Sequence, residues 1–198
     1  MPAFSILSRS VLLLLLCLLS ICSSAGAVDI FVDDSAPGGD GTTWPQAYND
    51  LQDAFDDAAQ NSTADIIRVA QGTYKPGTLR THTFELQVDL QILGGYIGYN
   101  APDPTIRDPE LYPSILSGDL SGNDGPALFQ DNADNSYHII TAVLIDDTAV
   151  VDGFTIRGGN ANGTSQRTGA AVILSAPSDV IDGPLFRNCT FIENHAAD

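Results

Sequence analysis

The sequence predicts an all-β chain, a right-handed parallel β-helix (a solenoid) with an N-terminal amphipathic capping helix. The first indication is composition: 22 of the 25 acidic residues are Asp and 18 residues are Gly, a balance that suits tight turns better than helices. The second is periodicity. Val69-Ala70-Gln71-Gly72, Ile92-Leu93-Gly94-Gly95 and Ile115-Leu116-Ser117-Gly118 share an apolar-apolar-x-Gly form at intervals of 23 residues, and a further β-type segment follows at 137–143. The third is an echo at an offset of 35, which sets Gly153-Phe154-Thr155-Ile156 against Asn188-Cys189-Thr190-Phe191 and Ala161 against Ala196. A helix-free repeat of this size suits coils that stack one on the next. A β-sandwich, the rival, would link its strands by hairpins and show no recurring register.

In chain order, residues 1–27 read as an export signal. Arg9 precedes an apolar run at 11–22 broken only by Ser20, and Ala25-Gly26-Ala27 has the small-x-small form that signal peptidases cleave. A run of about a dozen falls short of the roughly 20 residues that span a bilayer, so no transmembrane span is expected in the mature segment. Cleavage after Ala27 removes Cys17 and Cys22 and leaves Cys189 alone, which excludes an intramolecular disulfide. Residues 28–64 read as an N-terminal strand at 29–33, a glycine loop at 34–41 and the capping helix at 45–60. Ala47, Leu51, Ala54, Phe55 and Ala58 mark one helical face, with Thr43 as the expected N-cap and Asn61-Ser62 as the stop. The helix is expected to cover the first coil, whose open end would otherwise expose apolar interior and unpaired strand edges.

Residues 65–198 read as the coils themselves. Strict alternation puts Phe154, Ile156, Cys189 and Phe191 inside and Thr155 and Thr190 outside. Gly159 and Asn194, equivalent in the 35-residue echo, are the expected corner residues with positive φ. No second cap is visible in the sequence, so further β-helix coils are expected after Asp198 in the same chain. Charge narrows the partners: Lys and Arg number 8 against 25 Asp and Glu, a net charge of −17, which repels nucleic acid and anionic membranes. With 43% hydrophobic and only 17% charged residues, the chain can build a packed core and is not of the disordered class.

From about residue 30 to 198 the chain resembles the N-terminal region of large secreted bacterial right-handed β-helix proteins of the pectin lyase-like superfamily. The likeness is carried in order by Val32-Asp33-Asp34 with the glycine loop and Thr43-Trp44, Leu51-Gln52-Asp53-Ala54, Val69-Ala70-Gln71-Gly72-Thr73-Tyr74-Lys75-Pro76, Leu93-Gly94-Gly95-Tyr96, Ile115-Leu116-Ser117-Gly118-Asp119, Asp134-Asn135-Ser136-Tyr137-His138, Asp152-Gly153-Phe154-Thr155-Ile156 and Asn188-Cys189-Thr190-Phe191. The last coil is also similar to the repeat of polymorphic outer-membrane proteins, whose Phe-x-x-Asn element appears as Phe191-Ile192-Glu193-Asn194.

The superfamily includes polysaccharide lyases and hydrolases. Its calcium-dependent lyases hold the metal with clustered carboxylates and abstract a proton with Arg or Lys. The candidates here are Asp146, Asp147 and Asp152, with Arg157 as the base. Adjacent residues such as Asp146 and Asp147 face opposite ways in a strand, and the competing reading makes all three corner residues. Of the elements that mark the superfamily's glycoside hydrolases, the sequence carries only an Asp-Asp pair.

Calcium is also a candidate structural cofactor, because Asp119, Asn123 and Asp124, followed by Asp131 and Asp134, set oxygen ligands close together. Neither loop is an EF-hand: Asp124 stands where that loop needs Gly. His82, His138 and His195 lack metal-ligand spacing. Cys189 reads as a buried, inert thiol, and Trp44, Tyr48, Tyr96 and Tyr99 as packing residues that would stack on sugar rings only if exposed. The expected function is that of a non-catalytic, secreted or surface-displayed scaffold or adhesin-like binding segment, with a polysaccharide or cell-surface glycan as partner. The alternative is a polysaccharide lyase or glycoside hydrolase.

Overall fold

A computed structural model describes residues 27–60, 65–176 and 182–197. The export signal other than Ala27, the helix stop at Asn61-Ser62 and Asp198 lie outside the described residues. Strand β1 (Asp29–Val32) is followed by a 3-10 turn (Trp44–Gln46) and helix α1 (Leu51–Ala58). There follow β2 (Ile66–Ala70), β3 (Gly72–Tyr74), β4 (Phe84–Glu85), β5 (Gln91–Tyr96), β6 (Ser114–Ser117), β7 (Ile140–Val143), β8 (Val150–Asp152), β9 (Phe154–Arg157), β10 (Asn160–Ala161), β11 (Val172–Ser175), β12 (Leu185–Arg187), β13 (Thr190–Ile192) and β14 (His195–Ala196).

These strands form sheets of order β1-β2-β5-β8-β12, β3-β6-β9-β13, β4-β7-β11 and β10-β14. Every neighbouring pair within them is parallel. The chain is therefore mainly β, in parallel sheets, with one α-helix among the described residues. It visits the three larger sheets in the same order on successive passes, β2-β3-β4, then β5-β6-β7, then β8-β9-β11.

Parallel pairing puts like residues above one another. Ile67, Ile92, Val151 and Phe186 pair in succession along the first sheet, and Tyr74, Leu116, Ile156 and Phe191 along the second. All of these but Phe191 meet Phe84, Ile140 and Ala142 of the third sheet in one core. Helix α1 packs on β1 and β4, adding Leu51, Ala54, Phe55 and Ala58 to that core, and the Phe55 and Phe84 rings stack with centroids 5.6 Å apart.

Four local expectations need correction. The helix does not run from 45 to 60, and Thr43 caps only the 3-10 turn, without a side-chain bond. Tyr48 leaves the helical path to pair with β1, its N–H donating to Phe31 O and its carbonyl accepting from Asp33 N. Asp50 then caps α1, its side chain accepting from Gln52 N. Covering the exposed edge of β1 wins over another helical turn, because a buried strand edge left unpaired loses its backbone hydrogen bonds.

The 23-residue interval is not the pairing register either. Ile92 pairs with Ile67, 25 residues back, whereas Ile115 belongs to a different sheet and pairs with Thr73. The 35-residue echo, by contrast, is the register of β8, β9 and β10 with β12, β13 and β14.

The corners fall one residue earlier than expected, at Gly158 (φ 77°) and Glu193 (φ 55°). Asn194 instead works through its side chain, accepting from Gly159 N at 2.9 Å and donating to Ile156 O at 2.9 Å and Ile192 O at 3.1 Å. Alternation holds for Phe154 and Ile156, which are buried, but Phe191 is 48% exposed and Cys189 only half-buried. Strand β13 has a neighbour on one side only, so among the described residues nothing covers the far side of Phe191.

Depth in the core therefore sets the cost of truncation. Phe84→Ala is expected to lower the unfolding free energy by about 3–5 kcal/mol, and Phe191→Ala by about 1 kcal/mol or less. Denaturant titration of the two variants against the parent checks the ranking.

Candidate functional site

The pass from β5 to β8 is long. Ile92 pairs with Val151, 59 residues later, whereas Ile67 pairs with Ile92 after 25 and Val151 with Phe186 after 35. The surplus lies in two excursions, 97–113 before β6 and 118–139 before β7. Each carries polar chemistry.

The first excursion doubles back on β5. Tyr96 and Arg107 form an antiparallel bridge, Asp108 N donates to Gly95 O at 2.7 Å, and the Asp108 carboxylate accepts from the N–H groups of Glu110 and Leu111. The returning segment becomes one wall of an open cleft of about 840 Å³, lined by Arg107, Asp108, Pro109, Glu110 and Pro113 on one side. Gly153, Phe154, Thr155, Asn188, Cys189 and Thr190 line the other. Thr155 and Thr190 are a registered pair of the second sheet, on the outward face that alternation assigns them.

Arg107 is the fixed point of the cleft. Its guanidinium donates to Gly94 O (2.8 Å), Asp152 O (3.1 Å) and Asp152 Oδ1 (2.6 Å), and Asn188 Nδ2 donates to the same Oδ1 (3.1 Å). Partial burial pushes the Asp152 carboxyl up, but the bonds from Arg107 and Asn188 and the charges of Arg107 and Arg187 outweigh it and hold the pKa below the ordinary carboxylate value. Gly153 (φ 81°) and Asn188 (φ 49°) turn the chain at matching corners beside this ion pair. A Cβ on Gly153 would meet Arg107 Nη2, Pro109 Cγ and Gly94 O at 2.7 to 2.9 Å, so the wall can approach the sheet only over glycine. The Cys189 thiol donates to Arg187 O at 3.1 Å, and burial pushes its pKa up, which leaves little thiolate for reaction.

Three of the four catalytic candidates have separate partners. Asp146 accepts from Thr148 N and Oγ1 in an exposed turn, bonds that hold its carboxyl below the usual range. Asp147 beside it is exposed. Asp152 is tied to Arg107, and Arg157 faces Glu193 at 4.0 Å across the sheet.

The second excursion gathers most of the candidate calcium ligands. The buried Asp119 carboxylate accepts from the N–H groups of Gly122 (2.7 Å), Asn123 (3.1 Å) and Asp124 (3.3 Å) and so holds the loop. Asp134 is held below the usual range, chiefly by a hydrogen bond from Ser121, with Asn123 contributing another. Asp124 Oδ2 accepts from Asn135 Nδ2 at 2.8 Å. Burial pushes the Asp124 carboxyl up despite that bond, and the Asp119 and Asp134 charges add to the push. Asp131 does not join them: it is exposed and accepts from its neighbour Gln130. Among the described residues, no three His, Cys, Asp or Glu side chains gather so as to share an ion by themselves.

Arg107, Glu110 and Asn188 were not legible as site residues. Arg107 has no motif around it, and Asn188 stood out as the partner of Gly153 in the 35-residue echo, in the Asn188-Cys189-Thr190-Phe191 element and as an Asn-x-Thr sequence, not as a cleft residue. The chain matches no family model, no curated protein and no solved structure.

Because the Asp152 carboxyl is more acidic folded than unfolded, its contribution to stability is complete above the unfolded value of about 3.9 and fades as pH falls through the lower folded value. Asp152→Asn is therefore expected to destabilise at about pH 6 and progressively less below about pH 4. Urea unfolding at both pH values tests this; an equal loss at each would mean that shape rather than charge holds the cleft wall.

Proposed function

We propose that this chain is a segment of a secreted or surface-displayed right-handed parallel β-helix that binds glycan and does not cleave it. The observation that carries the reading is the cleft between Arg107–Glu110 and the Thr155/Asn188/Thr190 face. Hydroxyl and amide groups set on a rigid sheet beside a polar wall suit the hydroxyl-rich edge of a sugar chain, which needs donors and acceptors at fixed spacing. The recurring visit to three parallel sheets supports the β-helix. In that reading a further parallel coil of the same chain would continue the columns past Phe191. Among the described residues no helix is long and apolar enough to cross a membrane, and the export signal read at 1–27 supports the secreted location.

The polarity of the cleft narrows the ligand. Arg107 is neutralised by Asp152, while Asp108 and Glu110 add negative charge to the wall. Polyuronates would meet repulsion there, and neutral glycans would not. The separate partners of Asp146, Asp152 and Arg157 favour binding over a lyase or hydrolase.

Calorimetric titration with neutral and uronic-acid oligosaccharides tests the reading. Neutral oligosaccharides are expected to bind, and the double variant Asn188→Ala/Thr190→Ala to weaken them about tenfold or more, through loss of two hydrogen bonds at roughly 1 kcal/mol each. Release of unsaturated or reducing ends from any polysaccharide would replace the scaffold with the lyase or hydrolase.

A further inference from the structure

The 118–139 excursion holds an electrostatic arrangement that its own hydrogen bonds leave incomplete. The charges of Asp119 and Asp134 both act on that of Asp124, and a nearby cation, Lys75, is spent on the loop backbone, its Nζ donating to Leu120 O at 3.0 Å. Arg157, itself facing Glu193, acts on Asp124, and Arg80 acts on Asp134. Like charges held together in a partly dry loop are unfavourable unless a cation sits among them.

A second and independent observation lies in the oxygens. Asp124 Oδ1 is out of contact with solvent and has no hydrogen-bond partner. Asn135 is completely buried, and its Nδ2 is fully used, donating to Asp124 Oδ2 at 2.8 Å and Gly158 O at 2.7 Å. These two bonds fix the carboxamide beside the Asp124 carboxylate, and its Oδ1 is left with no partner. Two dry acceptors with no donor, on side chains that a hydrogen bond holds together, are the opposite of what a solvated turn presents. Buried acceptors are almost always satisfied, and each one left unmatched costs about 1–3 kcal/mol.

We propose that this loop binds one calcium ion, taken between Asp124 Oδ1 and Asn135 Oδ1 with Asp134 and Asp119 completing the negative field. Calcium fits better than a transition metal because every group offered is a hard oxygen and one of the two unpartnered ligands is a neutral amide. Only one carboxylate oxygen is both buried and free to ligate directly, so the affinity belongs to the millimolar range of extracellular modules. The ion would tie the excursion to the sheet at Gly158, the corner whose carbonyl already accepts from Asn135. This inference does not depend on what the cleft binds.

The test is thermal unfolding of the full chain after chelation of divalent ions, with calcium added back at constant ionic strength. The melting temperature is expected to rise saturably, by about 3–6 °C at about 10 mM calcium. Asp124→Asn keeps the shape and the acceptor for Asn135 but removes the charge. It is expected to melt at or above the parent in chelator and to gain nothing from calcium. Asp134→Asn is expected to weaken the response several-fold and Asp131→Asn, outside the group, to leave it intact, so the assignment stays testable even if Asp124→Asn fails to fold. An absent calcium response, the same rise with sodium chloride alone, or an undiminished response in Asp124→Asn and Asp134→Asn would overturn it.

Discussion

A parallel ladder sets the side chain of each residue over that of its partner in the strand below, so a residue type acceptable at one level must be acceptable at the next. Ile67, Ile92, Val151 and Phe186 obey this in one column, and Tyr74, Leu116, Ile156 and Phe191 in another. The columns hold the three larger sheets at fixed distances around a shared interior. Whatever the chain does between strands must return it to the same register. That requirement explains why corners are occupied by Gly153, Gly158, Asn188 and Glu193 in positive φ, and why Asn194 adds three side-chain hydrogen bonds where the backbone turns away from its ladder.

The constraint applies to strands and leaves the connections free in length. Passes of 25, 59 and 35 residues rejoin the same column, because a loop that closes on a rigid frame pays a closure entropy that grows only slowly with its length. The long pass spends its surplus on the cleft wall and on the acidic loop, and both lean on the frame at glycine corners. Arg107 reaches Gly94 O and Asp152 over Gly153, and Asn135 reaches Gly158 O. The polar chemistry of the molecule is thus concentrated where the repeat is least regular.

Beside the first excursion, whose Arg107 bridges to Tyr96, the first sheet carries a smaller cluster. Trp44 packs between Phe31 and Tyr96, with ring centroids 5.0 and 5.5 Å away. Tyr96 in turn receives a hydrogen bond from Arg68, which is also paired with Asp29. Trp44 therefore fastens the 3-10 turn to the outside of the sheet, while α1 closes the interior through Phe55. The 3-10 turn and the helix, a few residues apart in sequence, act on different faces.

The sequence by itself determined the mainly β character, the one α-helix found among the described residues, the inward placement of Phe154 and Ile156 and the 35-residue register. Each of these follows from local periodicity and turn chemistry, which the order of residues carries directly. It misjudged the 23-residue interval, because three apolar-apolar-x-Gly segments look alike whichever sheet they enter. It also ran the helix through Tyr48, since the pull of the β1 edge on that residue is not a local property. The acidic loop, Asn135 included, was legible as a run of oxygen ligands, but the burial that leaves the Asn135 carboxamide oxygen without a partner was not, and the cleft was not legible as a site. Arg107, Asp152 and Asn188 are separated by 45 and 36 residues, and only the return of a long excursion to the sheet brings them together. Tertiary structure alone decided these sites, because burial, unmatched acceptors and ion pairing arise from neighbours that the chain supplies only after it has closed on itself.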